Sequence, residues 1–164
     1  MPNAVTVPVS LPHASLPNAD WADAFAITTS NRDITPENAA RKIMMSRPNW
    51  VVHLMRFRDL VVSPFGLKSG ANDSENPNII GIFPVVSRTD TSITLGLDDR
   101  HLDFRLVIEV EHITNDQTLI RTITLTKRHN LFGRAYLATI MPFHKVIVPA
   151  MLKAAYPPIK LAGL

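Results

Sequence analysis

The sequence contains no cysteine, and glycine and aromatic residues are scarce. Without cysteine the chain cannot form disulfide bonds, and thiolate ligands for zinc or an iron–sulfur cluster are excluded. Its six glycines contain no G-x-G-x-x-G dinucleotide pattern, and neither G-x-S-x-G nor H-E-x-x-H occurs. We therefore predict no cofactor, no metal site and no nucleophilic catalytic motif.

Acidic residues are absent from residues 117–164, whereas all 14 Asp and Glu residues lie earlier. The basic residues of that segment are Arg121, Lys127, Arg128, Arg134, Lys145, Lys153 and Lys160. Such an excess can bind an anionic partner, but nucleic-acid-binding modules combine denser basic clusters with stacking aromatics. We expect no nucleic-acid partner. The simpler account is internal pairing, with a basic strand from Leu119 beside the acidic strand that carries Glu109 and Glu111.

The sequence also has no uninterrupted apolar run near the roughly 20 residues that cross a bilayer, so no membrane span is predicted. Four prolines interrupt the first 17 residues, which lack the basic segment of a signal peptide. A cytoplasmic location is expected. Residues 1–18 are predicted to form an extended arm, either packed across the body or loose, and residues 19–164 a single domain.

The first half of the chain predicts one strand followed by two short helices. Residues 23–30 alternate apolar and small side chains, as in a half-buried strand. Thr35, Pro36 and Glu37 are typical of a helix start, because the hydroxyl caps free amides, proline fits the first turn and the acid favours the dipole. A second helix is predicted after Pro48, with one apolar side formed by Trp50, Leu54, Phe57 and Val61.

The middle of the chain predicts an antiparallel meander. Residues 79–129 are rich in β-branched side chains, and turn-forming residues at 90–91 and 115–116 separate the strands. Pro84 suits an edge strand or a bulge, because it cannot donate a ladder hydrogen bond. Residues 69–78 carry turn-forming side chains throughout and predict a mobile loop.

The last segment changes to helical periodicity. Pro142 and Pro149 interrupt it, and each removes a backbone donor at roughly 3 kcal/mol in a helix interior. We predict a long, proline-bent helix, or two helices with a break before Pro142. Its apolar stripe is Phe132, Tyr136, Ile140, Phe143, Ile147 and Met151.

This order of elements predicts an α+β fold in which a curved antiparallel sheet wraps around the last helix. The order resembles the helix-grip fold of the START and SRPBCC superfamily over roughly Trp21 to Tyr156. The blocks MRFRDLVVSPFGLK, GLDDRHLDFRL, HNLFGRAYL and MPFHKVIVPAML resemble an uncharacterised bacterial family within that superfamily. The resemblance implies a cavity between sheet and helix for an apolar molecule, and some relatives are joined to a dinucleotide-binding domain.

A titratable cluster precedes the apolar run that ends at Val110. Alternation places Leu102, Phe104, Leu106, Ile108 and Val110 on one face of this strand and the charged residues on the other. That polar face is predicted to be the solvated side of a strand. A functional alternative is a polar site in which Asp103 orients His101 or pairs with Arg105; its predicted members are Asp99, His101, Asp103 and Arg105.

His144 marks a second candidate, because it follows Pro142 and can meet a ligand head group or simply hydrogen-bond to the sheet. A metal site formed by His101, Asp103 and His144 is a further alternative, but it needs three ligands that converge. The predicted ligand-binding residues, between the sheet and the last helix, are Phe104, Leu106, Ile108, Tyr136, Phe143 and His144.

Three function classes remain open from the sequence. The first is a binding module for a small apolar or amphipathic molecule. The second is an enzyme of the same fold that uses a constellation including His101, Asp103, Arg105 or His144. The third is an interaction domain that forms a homodimer or docks to an oxidoreductase-like partner.

Overall fold

A computed structural model of the chain describes residues 3–53, 56 and 76–157. Within these residues the fold is α+β, with seven antiparallel strands in one open sheet of order β1-β2-β7-β6-β5-β4-β3. The strands are β1 (Val5–Thr6), β2 (Trp21–Thr29), β3 (Ile79–Ile80), β4 (Phe83–Arg88), β5 (Ser92–Asp98), β6 (Leu102–Thr114) and β7 (Gln117–Arg128). The helices are α1 (Pro36–Met45), α2 (residues 49–53) and α3 (Leu131–Ala155).

The predicted meander is confirmed. Consecutive strands from β3 to β7 pair antiparallel, and the predicted turn residues at 90–91 and 115–116 connect them. Pro84 lies in β4 beside the two-residue edge strand β3, and the β4–β5 register shifts between Val85 and Ser87. β2 joins the far side of β7, so β7 lies between the first long strand and β6, and β6 is the central strand of the seven.

The inner face of the sheet, which α1 and α3 cover, carries the main core. Alternation points Phe25, Ile108 and Ile120 to this face from three neighbouring strands. α1 contributes Ala39, Ala40 and Ile43 to the same cluster, and α3 contributes Met151, Leu152 and Ala155. The predicted apolar side of β6 therefore faces the helices, as its alternation indicates.

The outer face of the sheet is less solvated than the alternation in β6 predicts. Val107, Ile123 and Leu125 are buried on this side, together with Ala24 and with Leu16 from the arm. Residues 3–18 bring Val7 and Val9 against this second cluster, and β1 pairs with β2. The arm is thus packed across the body in its described part, which is the first of the two alternatives for residues 1–18.

The predicted helix start is confirmed at α1. Thr35 has an extended backbone and its side chain accepts a hydrogen bond from the Asn38 amide at 3.2 Å, while Pro36 occupies the first turn. Arg41 and Arg88 both donate to the carboxylate of Glu37, and these hydrogen bonds lower the pKa of Glu37. Arg41 belongs to the same helix, whereas the bond from Arg88 ties the helix to β4. Of the second predicted helix, residues 49–53 are helical, and Leu54, Phe57 and Val61 lie outside the described residues, as do residues 69–75 of the predicted loop.

α3 runs as one helix through both prolines. The predicted alternative of two helices with a break before Pro142 is therefore wrong. Its last turn packs on α1, where burial raises the pKa of Tyr156 to about 12 and Lys42 Nζ lies 4.4 Å from the centre of that ring. The helix end is thereby fixed against the first helix of the fold.

α3 is long and apolar enough to cross a membrane by length and composition alone. Its most apolar window has a mean hydropathy of 1.4, and 17% of that window is buried. The prediction from apolar runs missed this property because Arg134, His144 and Lys145 interrupt the sequence of apolar residues. In the fold, one side of α3 contacts β2, β7 and α1, and its opposite side is exposed.

Candidate functional site

The predicted polar site at the start of β6 divides into separate contacts. Asp103 Oδ1 lies 3.0 Å from His129 Nε2, and Arg105 donates to the carboxylate of Asp98. The predicted pairing of Asp103 with His101 or Arg105 is therefore wrong. The reason is the register: Asp103 lies opposite Lys127 on β7, so His129 reaches it diagonally, while Arg105 crosses Gly96 to reach Asp98 on β5.

The Asp98–Arg105 pair is a structural contact on the outer face. Its hydrogen bond from the Arg105 guanidinium lowers the pKa of Asp98 below its ordinary value. Arg105 is largely buried, and a side chain at position 96 would meet its Cδ at 2.6 Å, so glycine is required for the guanidinium to cross β5. The pair holds the β5–β6 hairpin together and leaves Asp98 itself mostly exposed.

His101 and Asp99 belong to a turn that anchors α3. The Asp99 carboxylate accepts from the His101 amide at 3.1 Å, and the His101 ring lies 4.4 Å from the Phe132 ring. Asn130 caps α3 by accepting from the Gly133 amide at 2.9 Å, and it also donates to the Arg100 carbonyl oxygen. The predicted site residues at 99 and 101 therefore connect the β5–β6 turn to the first turn of the helix.

The second candidate, His144, is at the centre of a polar group inside the fold, which we call the inner polar group (Asp23, Thr124, Thr126 and His144). His144 Nε2 lies 3.1 Å from Asp23 Oδ1 and 3.2 Å from Thr124 Oγ1. Because a carboxylate only accepts, Nε2 carries the proton in this contact. Both side chains are nearly buried, at 16% exposed for His144 and 12% for Asp23.

Two oxygens of the inner polar group have no hydrogen-bond partner among the described residues. They are Asp23 Oδ2 and Thr126 Oγ1, and both atoms are buried. Asp23 pairs with Thr124 across β2 and β7, and Thr126 lies two residues further along the same face. Most buried polar side-chain atoms in proteins are paired, so two unpaired atoms on adjacent strands mark this place as unusual.

Sequence reasoning selected His144 and missed Asp23, Thr124 and Thr126. The sequence did contain one indication of Asp23. Alternation places it on the same face of the strand as Phe25 and Ile27, and a charged residue on an apolar face needs a polar partner. The threonines gave no such signal, since threonine is common in strands.

Aromatic and apolar side chains surround the inner polar group. The Trp21 ring lies 6.1 Å from the His144 ring in an edge arrangement, and the Phe25 ring lies 6.4 Å from it. Phe104 lies beside Thr126 on the neighbouring strand, half-buried, with its ring 5.1 Å from that of Phe83. The inner polar group is thus bordered by aromatic side chains on the inner face of the sheet.

The predicted ligand-binding residues fall into two sets. Leu106 and Ile108 are buried in the packed core between the sheet and the helices, so they do not border an open cavity. Phe104, Tyr136, Phe143 and His144 are each at least partly accessible. Phe132 and Phe143 are eleven residues apart, three turns of helix, so they share the flank of α3 that faces the start of β6.

A surface depression of about 380 Å³ lies elsewhere, at the β6–β7 turn end of the sheet. Arg121 lines it and pairs with Glu109 at 2.8 Å and with Glu111 at 3.5 Å. These pairs confirm the predicted match of a basic strand with an acidic one. The depression is therefore lined by one cation that pairs with two carboxylates, and it lies away from the inner polar group.

The alternative metal site is not assembled. His144 lies on the inner face with Asp23, whereas Asp103 is on the outer face with His129. Within the part of the chain that the structure describes, no three His, Asp or Glu side chains come together in a way that could hold a metal ion.

No functionally curated protein is similar to this chain. A solved structure of a conserved protein of unknown function from Enterococcus faecalis is 10% identical, covers 86% of this chain and 75% of its own, and has a TM-score of 0.39, too low to establish a shared fold. The model of a family described as proteins of unknown function (DUF2867) matches residues 15–151. That match covers most of the chain, which therefore belongs to the DUF2867 family.

Proposed function

We propose that the chain is a binding module of the helix-grip type, which holds a small amphipathic molecule between the inner face of the sheet and α3. The observation that carries the proposal is the pair of buried oxygens, Asp23 Oδ2 and Thr126 Oγ1, that have no partner in the described part of the chain. An unsatisfied buried polar atom costs about 1–3 kcal/mol. A ligand that supplies the missing hydrogen bonds would recover this free energy on binding.

The chemistry of the inner polar group selects the head group. Asp23 offers a carboxylate oxygen that accepts, and Thr126 offers a hydroxyl that accepts or donates. A head group with hydrogen-bond donors, such as a hydroxyl or an ammonium, complements both atoms. A carboxylate head group would place two like charges side by side in a poorly solvated site, which is unfavourable.

The apolar part of the ligand fits the surrounding surface. From Thr126 the inner face continues through Phe104 to Leu97, which is exposed although it lies on this face. The flank of α3 that carries Tyr136 and Phe143 borders the same region, and Phe143 is 46% exposed. Apolar side chains that border convergent polar groups are the usual composition of a small-molecule site.

The first prediction concerns the unpartnered hydroxyl. Thr126→Val keeps the shape and the strand propensity but removes a buried oxygen that has no partner among the residues described. We therefore expect the ligand-free protein to become about 1 kcal/mol more stable. Thr122→Val is the matched control on the same face of β7, where the hydroxyl donates to the Phe25 carbonyl oxygen at 3.3 Å. There we expect a loss of about 1 kcal/mol, because this hydrogen bond is lost. Urea unfolding measures both; equal destabilisation by the two variants would contradict the prediction.

Binding is tested with three probes that share one chain length and differ in the head group: decylamine, decanol and decanoate. Trp21 is the reporter, because its ring lies against His144, and Trp50→Phe removes the second tryptophan at an exposed position. We expect decylamine or decanol to change Trp21 fluorescence with saturation, and decanoate to bind at least about tenfold more weakly. Native mass spectrometry of the purified protein then identifies any co-purifying compound.

Two results would overturn the proposal. One is the absence of saturable binding by all three probes together with an apo mass. The other is binding that is unaffected by Asp23→Asn and Thr126→Val, because the head group would then lie elsewhere.

A further inference from the structure

The basic excess after residue 116 divides into two sets in the fold. On β7, Arg121 pairs with Glu109 and Glu111, while Lys127 and Arg128 lie 3.8 and 3.1 Å from the Asp20 carboxylate. On α3, Arg134, Lys145 and Lys153 are exposed and have no ion pair with any residue that the structure describes. The helix itself has no acidic residue. Within the described residues, internal pairing therefore accounts for the β7 cations and leaves those of the helix without an ion pair.

The side of α3 that faces away from the sheet is also apolar. Leu131, Ala135, Pro142 and Val146 are exposed, and their spacing of four, seven and four residues places them in one stripe. Leu131 is 81% exposed and Val146 is 57% exposed. Lys153 continues this stripe after seven residues, and Arg134 and Lys145, eleven residues apart, lie together on its flank. We call this surface the outer stripe of α3.

We propose that the outer stripe of α3 docks on an anionic membrane surface, with the helix lying parallel to the bilayer. An apolar stripe with flanking cations is the pattern of helices that lie at the headgroup boundary, where apolar side chains enter the interface and cations meet anionic lipids. The helix is about 37 Å long at 1.5 Å per residue, so it can present both ends of the stripe to one flat surface. Its opposite side stays packed on the sheet through His144.

A second copy of the chain fits this surface less well. Two outer stripes packed together would place the cations Arg134, Lys145 and Lys153 of both copies at one interface, without any acidic residue on either helix. Like charges at an interface oppose association. An anionic lipid surface instead complements all three cations and accepts the apolar side chains between them.

The proposal is tested by co-sedimentation with vesicles. The full chain is mixed with vesicles of phosphatidylcholine alone and of phosphatidylcholine with phosphatidylglycerol at a ratio of about 3:1. We expect binding to the mixed vesicles only, because each cation near an anionic surface is worth about a factor of five in affinity. The double variant Arg134→Gln, Lys145→Gln should bind about 25-fold more weakly, and 0.5 M salt should weaken wild-type binding in the same direction.

Apolar and matched control variants complete the design. Leu131→Ser with Val146→Ser should lose binding to mixed vesicles while the circular dichroism spectrum stays unchanged. The control, Arg32→Gln with Val86→Ser, removes one exposed cation and one exposed apolar side chain away from α3 and should bind as wild type. The proposal is overturned if wild type stays in the supernatant with mixed vesicles, or if the α3 variants sediment like the control. It is also overturned if Leu131→Ser with Val146→Ser converts a dimer to a monomer without vesicles.

Discussion

Replacement of Gly133 by alanine is expected to destabilise the protein by about 3 kcal/mol. A methyl group at this position would overlap the carbonyl oxygen of His101 and come within 3.0 Å of its carbonyl carbon. Helix propensity alone predicts the opposite sign, a gain of about 1 kcal/mol for alanine over glycine. The steric clash should outweigh the gain in helix propensity, because the clashing group is a backbone carbonyl, which cannot rotate away as a side chain can. The same carbonyl oxygen also accepts a hydrogen bond from the His129 amide at 2.9 Å.

Urea unfolding of the two proteins measures this difference. The matched control is Ala138→Leu, an exposed position on the same helix, where added carbon atoms meet solvent and the change should stay within about 0.5 kcal/mol. If Gly133→Ala were as stable as wild type or more stable, the docking of the β5–β6 turn on the first turn of α3 would be incorrect.

Ile108→Ala is expected to cost about 2–5 kcal/mol, the range for large-to-small changes in a packed core. Ile108 is fully buried in the middle of the inner face, where it lies between Ile93 on β5 and Thr122 on β7 and under α1. Removing three carbon atoms from such a site loses apolar burial and leaves a cavity that the surrounding strands cannot close. The measurement is again the free energy of unfolding in urea.

Ile113→Ala is the control on the same strand. Ile113 is half-exposed near the β6–β7 turn, so its truncation should change stability by less than about 0.5 kcal/mol. Equal effects at positions 108 and 113 would contradict the assignment of the two residues to core and surface. A small change in the free energy of unfolding for Ile108→Ala would instead support the prediction that this residue borders an open cavity.

Much of the secondary structure could be predicted because it depends on neighbours along the chain. Alternation identified the strands of the meander, and Thr35 with Pro36 identified the start of α1. The two prolines of α3 led to one wrong alternative, in which the segment forms two helices with a break before Pro142. Pro142 and Pro149 remain inside a continuous helix, since packing of α3 on the sheet and α1 outweighs the local penalty of each proline.

The candidate site was only partly predictable, because its members come from separate strands and a helix. His144 could be named from its place after Pro142, but its partner Asp23 is 121 residues away. The predicted contacts of Asp103 were wrong because they were inferred only from its neighbours along the chain. Sequence neighbours at i and i+2 were assumed to pair, whereas the register of β6 against β7 placed His129 closer to the carboxylate.

By itself, the sequence determined the α+β class, the antiparallel order of the later strands, which side of β6 is apolar, and the match between Arg121 and the acidic strand. These follow from alternation, turn chemistry and charge, which act over a few residues or across one hairpin. Only the tertiary structure decided that the arm covers the outer face, that Asp23 meets His144, and which cations of α3 have no ion pair with the residues described. Those facts depend on strand register and on which face each helix covers, and contacts between distant segments set both.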